Sequence, residues 1–184
     1  MSITIRPAGP AEDDRIAELV VNAYVDGGHI RPGDGYVQVL RATAQRRAHA
    51  EVLVATVAEA ADAAEIAGTV TVVRGGTEFS EFGDPGDLEI RMLAVDPAFA
   101  GRGVGRRLLE IVLDRAREQR ASGVSLFTLD SMTAARSLYL RAGFEATPER
   151  DHLPVPGVQL RAFRLSLSRA DRGAGPASDP RPPR

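Results

Sequence analysis

Between Glu89 and Leu109 an apolar run, Glu89-Ile-Arg-Met-Leu-Ala-Val95, meets a break at Asp96-Pro97. Three glycines at alternate positions, Gly101, Gly103 and Gly105, then open a helical pattern. This segment constrains the fold more than any other, because it reads as strand, glycine turn and helix in immediate succession. Glycines without side chains let consecutive amide N–H groups converge on one point at the positive end of a helix dipole. Such a point is an anion site, and a pyrophosphate is the expected anion.

Spacing narrows the choice. A dinucleotide-binding turn requires G-x-G-x-x-G with an acidic residue about twenty positions later, whereas the glycines here fall as G-x-G-x-G. A Walker A loop requires a lysine after its last glycine, and the chain contains no lysine.

Periodicity supplies the rest of the organisation. Ile3–Arg6 alternates as an edge strand, and Pro10-Ala-Glu-Asp-Asp opens a helix whose inward face is Ile16, Leu19, Val20 and Ala23. A second helix is predicted over Tyr36–Ala48, with strands at Val52–Val57, Ile66–Val73 and Asp87–Val95. A helix from Val104 to about Arg120 carries apolar Val104, Leu108, Ile111 and Val112, and a fifth strand spans Val124–Leu129. Ala135, Leu138 and Ala142 mark one face of a short helix that Gly143 can stop. Phe144–Ala146 and Val158–Leu167 read as closing strands, separated by Pro148–Gly157, a proline-containing loop not expected to continue either strand. The chain is expected to form one domain over residues 3–167, with a disordered tail over 168–184 rich in Pro, Gly, Asp and Arg.

Leu93, Val95, Gly103 and Gly105 resemble the acyl-CoA loop of the GNAT superfamily of N-acetyltransferases, whose signature reads Arg/Gln-x-x-Gly-x-Gly/Ala after a Leu-x-Val strand. Downstream, Ala135-Arg-Ser-Leu-Tyr139-Leu-Arg-Ala-Gly143-Phe144 looks like the family's ending A-x-x-L-Y-x-x-x-G-F. Two departures stand out: the family's Arg/Gln falls on Ala100, and the Asn it often carries falls on Met132.

The resemblance implies an α/β fold with a mixed, mostly antiparallel seven-stranded sheet, splayed between its fourth and fifth strands and flanked by about four helices. It implies acetyl-CoA as the acyl donor, bound along Leu93, Ala94, Val95, Gly101, Arg102, Gly103, Val104, Gly105, Arg106 and Tyr139. It further implies direct transfer of acetyl to an amine, with a Leu93 or Ala94 amide facing the thioester oxygen and Tyr139 protonating the departing thiolate. A second reading of the same loop is a non-catalytic acyl-CoA-binding module acting as a sensor or partner domain.

The chemistry itself requires a base, because an ammonium with pKa about 10 is not a nucleophile near neutral pH. Glu89 stands where several members of the family carry a general base. Strand alternation would put it on one face with Arg91, Leu93 and Val95. It could instead only pair with Arg91.

With no cysteine, thiolate metal sites and cysteine nucleophiles are excluded. The three histidines, His29, His49 and His152, lack metal-ligand spacing, so no metal is expected. A net charge of −2 gives no general pull toward nucleic acid, although an aminoacyl-tRNA acceptor stays open beside the favoured small or peptide amine. Arg41, Arg46 and Arg47 read as a solvated helix face, and Glu78, Glu81, Asp84 and Asp87 as either an acidic lure for a cationic acceptor or a hydrophilic loop. No apolar run reaches membrane-spanning length, so a cytoplasmic protein is expected, with a homodimer left open by apolar segments on the first helices and the last strand.

Overall fold

The computed structural model describes residues 2–58, 64–81, 84–155 and 158–168. Of the tail expected over 168–184, all but Ser168 lies outside them. The element order is β1 (Ser2–Pro7), α1 (Asp13–Val25), α2 (Tyr36–Arg41), α3 (Thr43–His49), β2 (Glu51–Ala58), β3 (Glu65–Arg74) and β4 (Leu88–Val95). There follow α4 (Val104–Glu118), β5 (Gly123–Leu129), α5 (Thr133–Arg141), β6 (Glu145–Ala146), β7 (His152–Val155) and β8 (Val158–Ser166).

One eight-stranded sheet runs β1-β2-β3-β4-β5-β8-β6, with β7 also on β8. Every pairing is antiparallel except β4 with β5, which is parallel. Helices cover both faces, as an apolar sheet requires. On one side Ile16, Leu19 and Val20 of α1 and Leu40 of α2 pack on Val52 and Val54. On the other, Val104, Leu108 and Val112 of α4 pack on Leu53, Val70 and Ile90, with α5 beside them. The i, i+4, i+8 spacing of the α4 residues is what turns a single stripe inward.

Three local departures from the expected pattern have physical causes. The helix expected over Tyr36–Ala48 is broken at Ala42 (φ −73°, ψ 50°), where Arg46 folds back to donate from Nη1 to the carbonyls of Val39 and Leu40, both at 2.9 Å. Arg46 is buried rather than solvated, and Arg47 is held by Asp13 at 2.8 Å. An eighth strand, β7, occupies part of the expected proline loop; it lies at an edge, where a proline costs no ladder hydrogen bond on its open side.

The third departure shapes the site. Met92 adopts φ 52°, and the β3–β4 register shifts opposite it, between Thr69 and Thr71. The irregularity resets the alternation along β4. Leu88, Ile90, Leu93 and Val95 face α4, whereas Met92 and Ala94 face α1. Glu89 therefore does not share a face with Leu93 and Val95. Among the described residues no helix is long and apolar enough to cross a membrane.

Candidate active site

The site begins where β4 leaves β5. Their parallel pairing covers only Leu88 with Val124, Glu89 with Ser125, and Ile90 with Leu126. Beyond Ile90 the strands diverge, and the irregularity at Met92 bends β4 away. The Asp96 amide donates to the Ala67 carbonyl on β3 at 2.9 Å, so alternation turns the amides of Leu93 and Val95 toward the gap.

The gap continues into a cleft of about 540 Å³ that runs from Tyr24 and His29 past Leu93, Val95 and Gly103 to α5. Its far wall is the turn expected from the sequence. Gly101 and Gly103 have φ of +74° and +85°, and a Cβ at either would project into open space. Gly103 precedes α4, whose first backbone bond is from the Arg107 amide to the Gly103 carbonyl at 2.9 Å. The amides of Val104, Gly105 and Arg106 precede that bond and point out of the helix end. Gly105 sits against Val95, where a Cβ would meet Cγ2 at 3.4 Å. An open cleft ending in uncapped amides and bare glycines fits the diphosphate and pantetheine arm of a coenzyme A.

Gly68 was not singled out by sequence pattern, yet it sets this geometry. A Cβ there would lie 2.9 Å from Val104 Cγ1 and 3.0 Å from the Ala94 carbonyl oxygen, so only a glycine lets the first turn of α4 settle this closely on the sheet.

Of the expected coenzyme residues, Leu93, Ala94, Val95, Gly101, Gly103, Val104, Gly105 and Arg106 line the cleft. Arg102 does not; its guanidinium lies 5.4 Å over the Phe99 ring. Tyr139 also lies off the cleft wall, buried against Phe144 with ring centroids 5.7 Å apart, and burial pushes its phenol up. The Tyr24 phenol is likewise pushed up by burial, and lies within electrostatic reach of the Tyr36 and Tyr139 phenols.

On the α1 side of the gap a narrow pocket of about 30 Å³, room for one or two waters, is lined by Tyr24, Tyr36, Glu89, Arg91 and Phe127. Glu89 is only 1% exposed. Its Oε2 accepts from the Ser80 hydroxyl at 2.7 Å and its Oε1 from the Glu81 amide at 3.1 Å, while Arg91 Nε stands 3.9 Å away. Arg91 is shared: it donates to the Phe79 carbonyl at 2.9 Å and pairs with Glu81. Tyr24 lines both spaces and joins them.

The acidic stretch before β4 is largely occupied. Glu81 pairs with Arg91, Asp84 with Arg150 at 2.6 Å, and Asp87 with Arg164 at 2.7 Å. His29, read from sequence only as lacking metal-ligand spacing, stands at the cleft mouth with Nδ1 2.8 Å from the Ser131 hydroxyl, and burial lowers its pKa. Its signal in the sequence was no more than a position after a glycine pair. His152 stacks edge-on against Phe127 at 4.7 Å, and His49 lies flat on Phe79. Among the described residues no group of three or more potential metal ligands forms a metal site.

Comparison with known proteins agrees with this geometry. The profile of the acetyltransferase (GNAT) family matches residues 21–144. The chain is similar to the N-alpha-acetyltransferase RimI of Mycobacterium tuberculosis, 37% identical over 82 residues, which is 45% of this chain and 44% of that relative. It spans about half the length, or less, of the curated relatives it matches. Its fold is similar to that of a GNAT-family acetyltransferase from Staphylococcus aureus, with TM-score 0.71 and 18% identity over 91% of this chain and 100% of the other. It is similar too to yncA of Salmonella typhimurium, solved with its cofactor acetyl-CoA, with TM-score 0.62 and 22% identity over 98% of this chain and 99% of the other.

Proposed function

The chain belongs to the GNAT acetyltransferase family, and on that premise we propose that it is an acetyl-CoA-dependent N-acetyltransferase acting on the primary amine of a small molecule or a peptide. The observation that carries this reading is the opening of β4 from β5 directly onto the uncapped, glycine-lined start of α4.

When bound, acetyl-CoA supplies a thioester acetyl group and a thiolate leaving group. The amides of Val104, Gly105 and Arg106 grip the diphosphate, which needs no cationic side chain at Ala100. Glu89 receives the ammonium proton through water in the narrow pocket, fixed in place by hydrogen bonds from the Ser80 hydroxyl and the Glu81 amide. The Leu93 amide faces the gap and is placed to stabilise charge developing on the carbonyl oxygen. Of the two amides expected for this role, Leu93 is the better oriented, since alternation turns that of Ala94 toward β3.

Tyr139 is the proposed proton donor to sulfur. Burial keeps its phenol neutral; because Tyr139 lies off the cleft wall, its proton would pass by way of Tyr24, which lines both spaces and lies within electrostatic reach of it. In balance, the ammonium first loses one proton through water to Glu89, the amine nitrogen bonds to the acetyl carbon as the carbon–sulfur bond breaks, a proton from Tyr139 reaches sulfur, and the second proton leaving nitrogen restores the Tyr139 phenol. The aromatic wall of Tyr24, Tyr36 and Phe127 suits the apolar flank of an amine or peptide terminus. RimI of Mycobacterium tuberculosis, by its name an N-alpha-acetyltransferase, supports a terminal amine among the acceptors tried.

Thermal shift with acetyl-CoA, followed by release of free CoA across an amine panel, tests the reading. Stabilisation with CoA release by one amine class is the expected result. Stabilisation without release from any amine would favour a binding module instead. A homodimer and a cytoplasmic location are part of the proposal, the first tested by light scattering and the second by fractionation.

A further inference from the structure

Three successive residues between β3 and β4 hold both charged side chains that β4 turns into the narrow pocket. The Ser80 hydroxyl and the Glu81 amide donate to the two oxygens of Glu89, at 2.7 and 3.1 Å, while the Phe79 carbonyl and the Glu81 carboxylate hold Arg91. Both donors to Glu89 thus sit on one short turn, closed by the Ser80 amide on the Thr77 carbonyl at 3.0 Å. A small shift of that turn would move both donors together and rotate the carboxylate.

The side chain at the head of this trio reaches out of the loop to a different element. The Phe79 ring lies flat on the imidazole of His49, with 4.3 Å between centroids and 12° between planes. His49 is exposed and ends α3, which is pinned on two sides: Arg46 donates to the Val39 and Leu40 carbonyls at 2.9 Å, and Arg47 pairs with Asp13 of α1 at 2.8 Å. The stack therefore braces the loop against a fixed helix.

Resting on the reading of Glu89 as the base, we propose that His49 is a positioning residue for acetyl transfer: through Phe79 its ring sets the turn whose Ser80 hydroxyl and Glu81 amide orient the Glu89 carboxylate. Proton removal depends on that orientation to within a fraction of an ångström, so a residue that touches no reactant can still govern the rate. Coenzyme binding is not expected to feel it, because the cleft wall is built from Leu93, Val95 and the start of α4 and not from this loop.

The test compares His49→Ala with His49→Phe, which keeps a flat ring on Phe79. In His49→Ala kcat is expected to fall about fivefold with acetyl-CoA affinity unchanged, and His49→Phe should restore the parent rate. Placed in a Glu89→Gln background, His49→Ala should cost nothing further, since the group it positions is gone. Hydrogen exchange at the Glu81 amide, followed by NMR on the full chain, needs no turnover: it should run about tenfold faster in His49→Ala and at the parent rate in His49→Phe. Unchanged exchange in His49→Ala, a rate loss that His49→Phe does not restore, or an equal loss in the Glu89→Gln background overturns the proposal while leaving the acetyltransferase reading intact. Parent-like turnover by Glu89→Gln alone overturns the base assignment and this proposal with it.

Discussion

The Ser80 hydroxyl donates to Oε2 of Glu89 at 2.7 Å, tying the loop before β4 to a carboxylate that is 1% exposed. A buried carboxylate held by fixed donors stays in one orientation, which is what a proton acceptor in a narrow pocket requires. Glu89→Gln keeps the hydrogen-bond acceptor at one oxygen and removes the base. Its kcat is expected to fall about 100-fold, with coenzyme affinity unchanged. Ser80→Ala should fall by less, about tenfold, because the Glu81 amide still holds Glu89. Steady-state rates beside calorimetric affinities check both, and equal rates for parent and Glu89→Gln would remove Glu89 from the mechanism.

Gly68 couples the sheet to the anion cradle. Gly68→Val drives side-chain atoms into Val104 and Leu108 and should lower stability by about 2 kcal/mol through overpacking. It should also lift the first turn of α4 and weaken acetyl-CoA binding, although residue 68 touches no ligand. Urea denaturation and calorimetry together separate the two effects, and unchanged binding in the folded variant would show that the cradle does not depend on this approach.

Arg46 anchors the junction of α2 and α3. Arg46→Met keeps the aliphatic stem but strips donors from the Val39 and Leu40 carbonyls. A loss of about 2 kcal/mol is expected, since two acceptors are left short while the desolvation of a buried cation is relieved. The urea midpoint measures it, and a gain in stability would mean the desolvation term is the larger.

Tyr139→Phe preserves the ring contact with Phe144 and removes the phenol. Chemistry should slow about 100-fold without a change in acetyl-CoA affinity. The alkaline limb of stability provides a second readout. Burial raises the folded-state pKa of Tyr24 and Tyr139, so both favour folding fully below about pH 10. That contribution is lost as pH rises beyond it, because the unfolded chain releases its phenolic protons first. The thermal midpoint should fall above pH 10 in the parent and less steeply in Tyr139→Phe. Superimposable pH curves would contradict the buried-phenol account.

The cradle was legible in the sequence because glycine at 101 and 103 has one strong reason to be there, a positive φ beside a helix start. The core stripe of α4 was legible because a period of 3.6 leaves few choices for Val104, Leu108 and Val112. Tertiary features were not. The irregularity at Met92 has no glycine to announce it, and Leu93 and Val95 alternate as an unbroken strand would, so the pattern groups them with Glu89, whereas only Arg91 of that set stands beside it. Arg46 looks like any basic residue of an exposed face, and only the break at Ala42 shows why it turns inward. β7 hid behind Pro154, because an edge position tolerates what an internal strand does not. Gly68 reads as an ordinary glycine until α4 is placed above it.

The most direct test of the central claim is calorimetric titration of acetyl-CoA into the parent chain and into Gly103→Asp, whose carboxylate would project into the open space beside the uncapped amides of α4. Saturable binding of one equivalent by the parent, lost in a folded Gly103→Asp, is the expected result. Absence of binding by the parent, or equal binding by the two proteins, would contradict it.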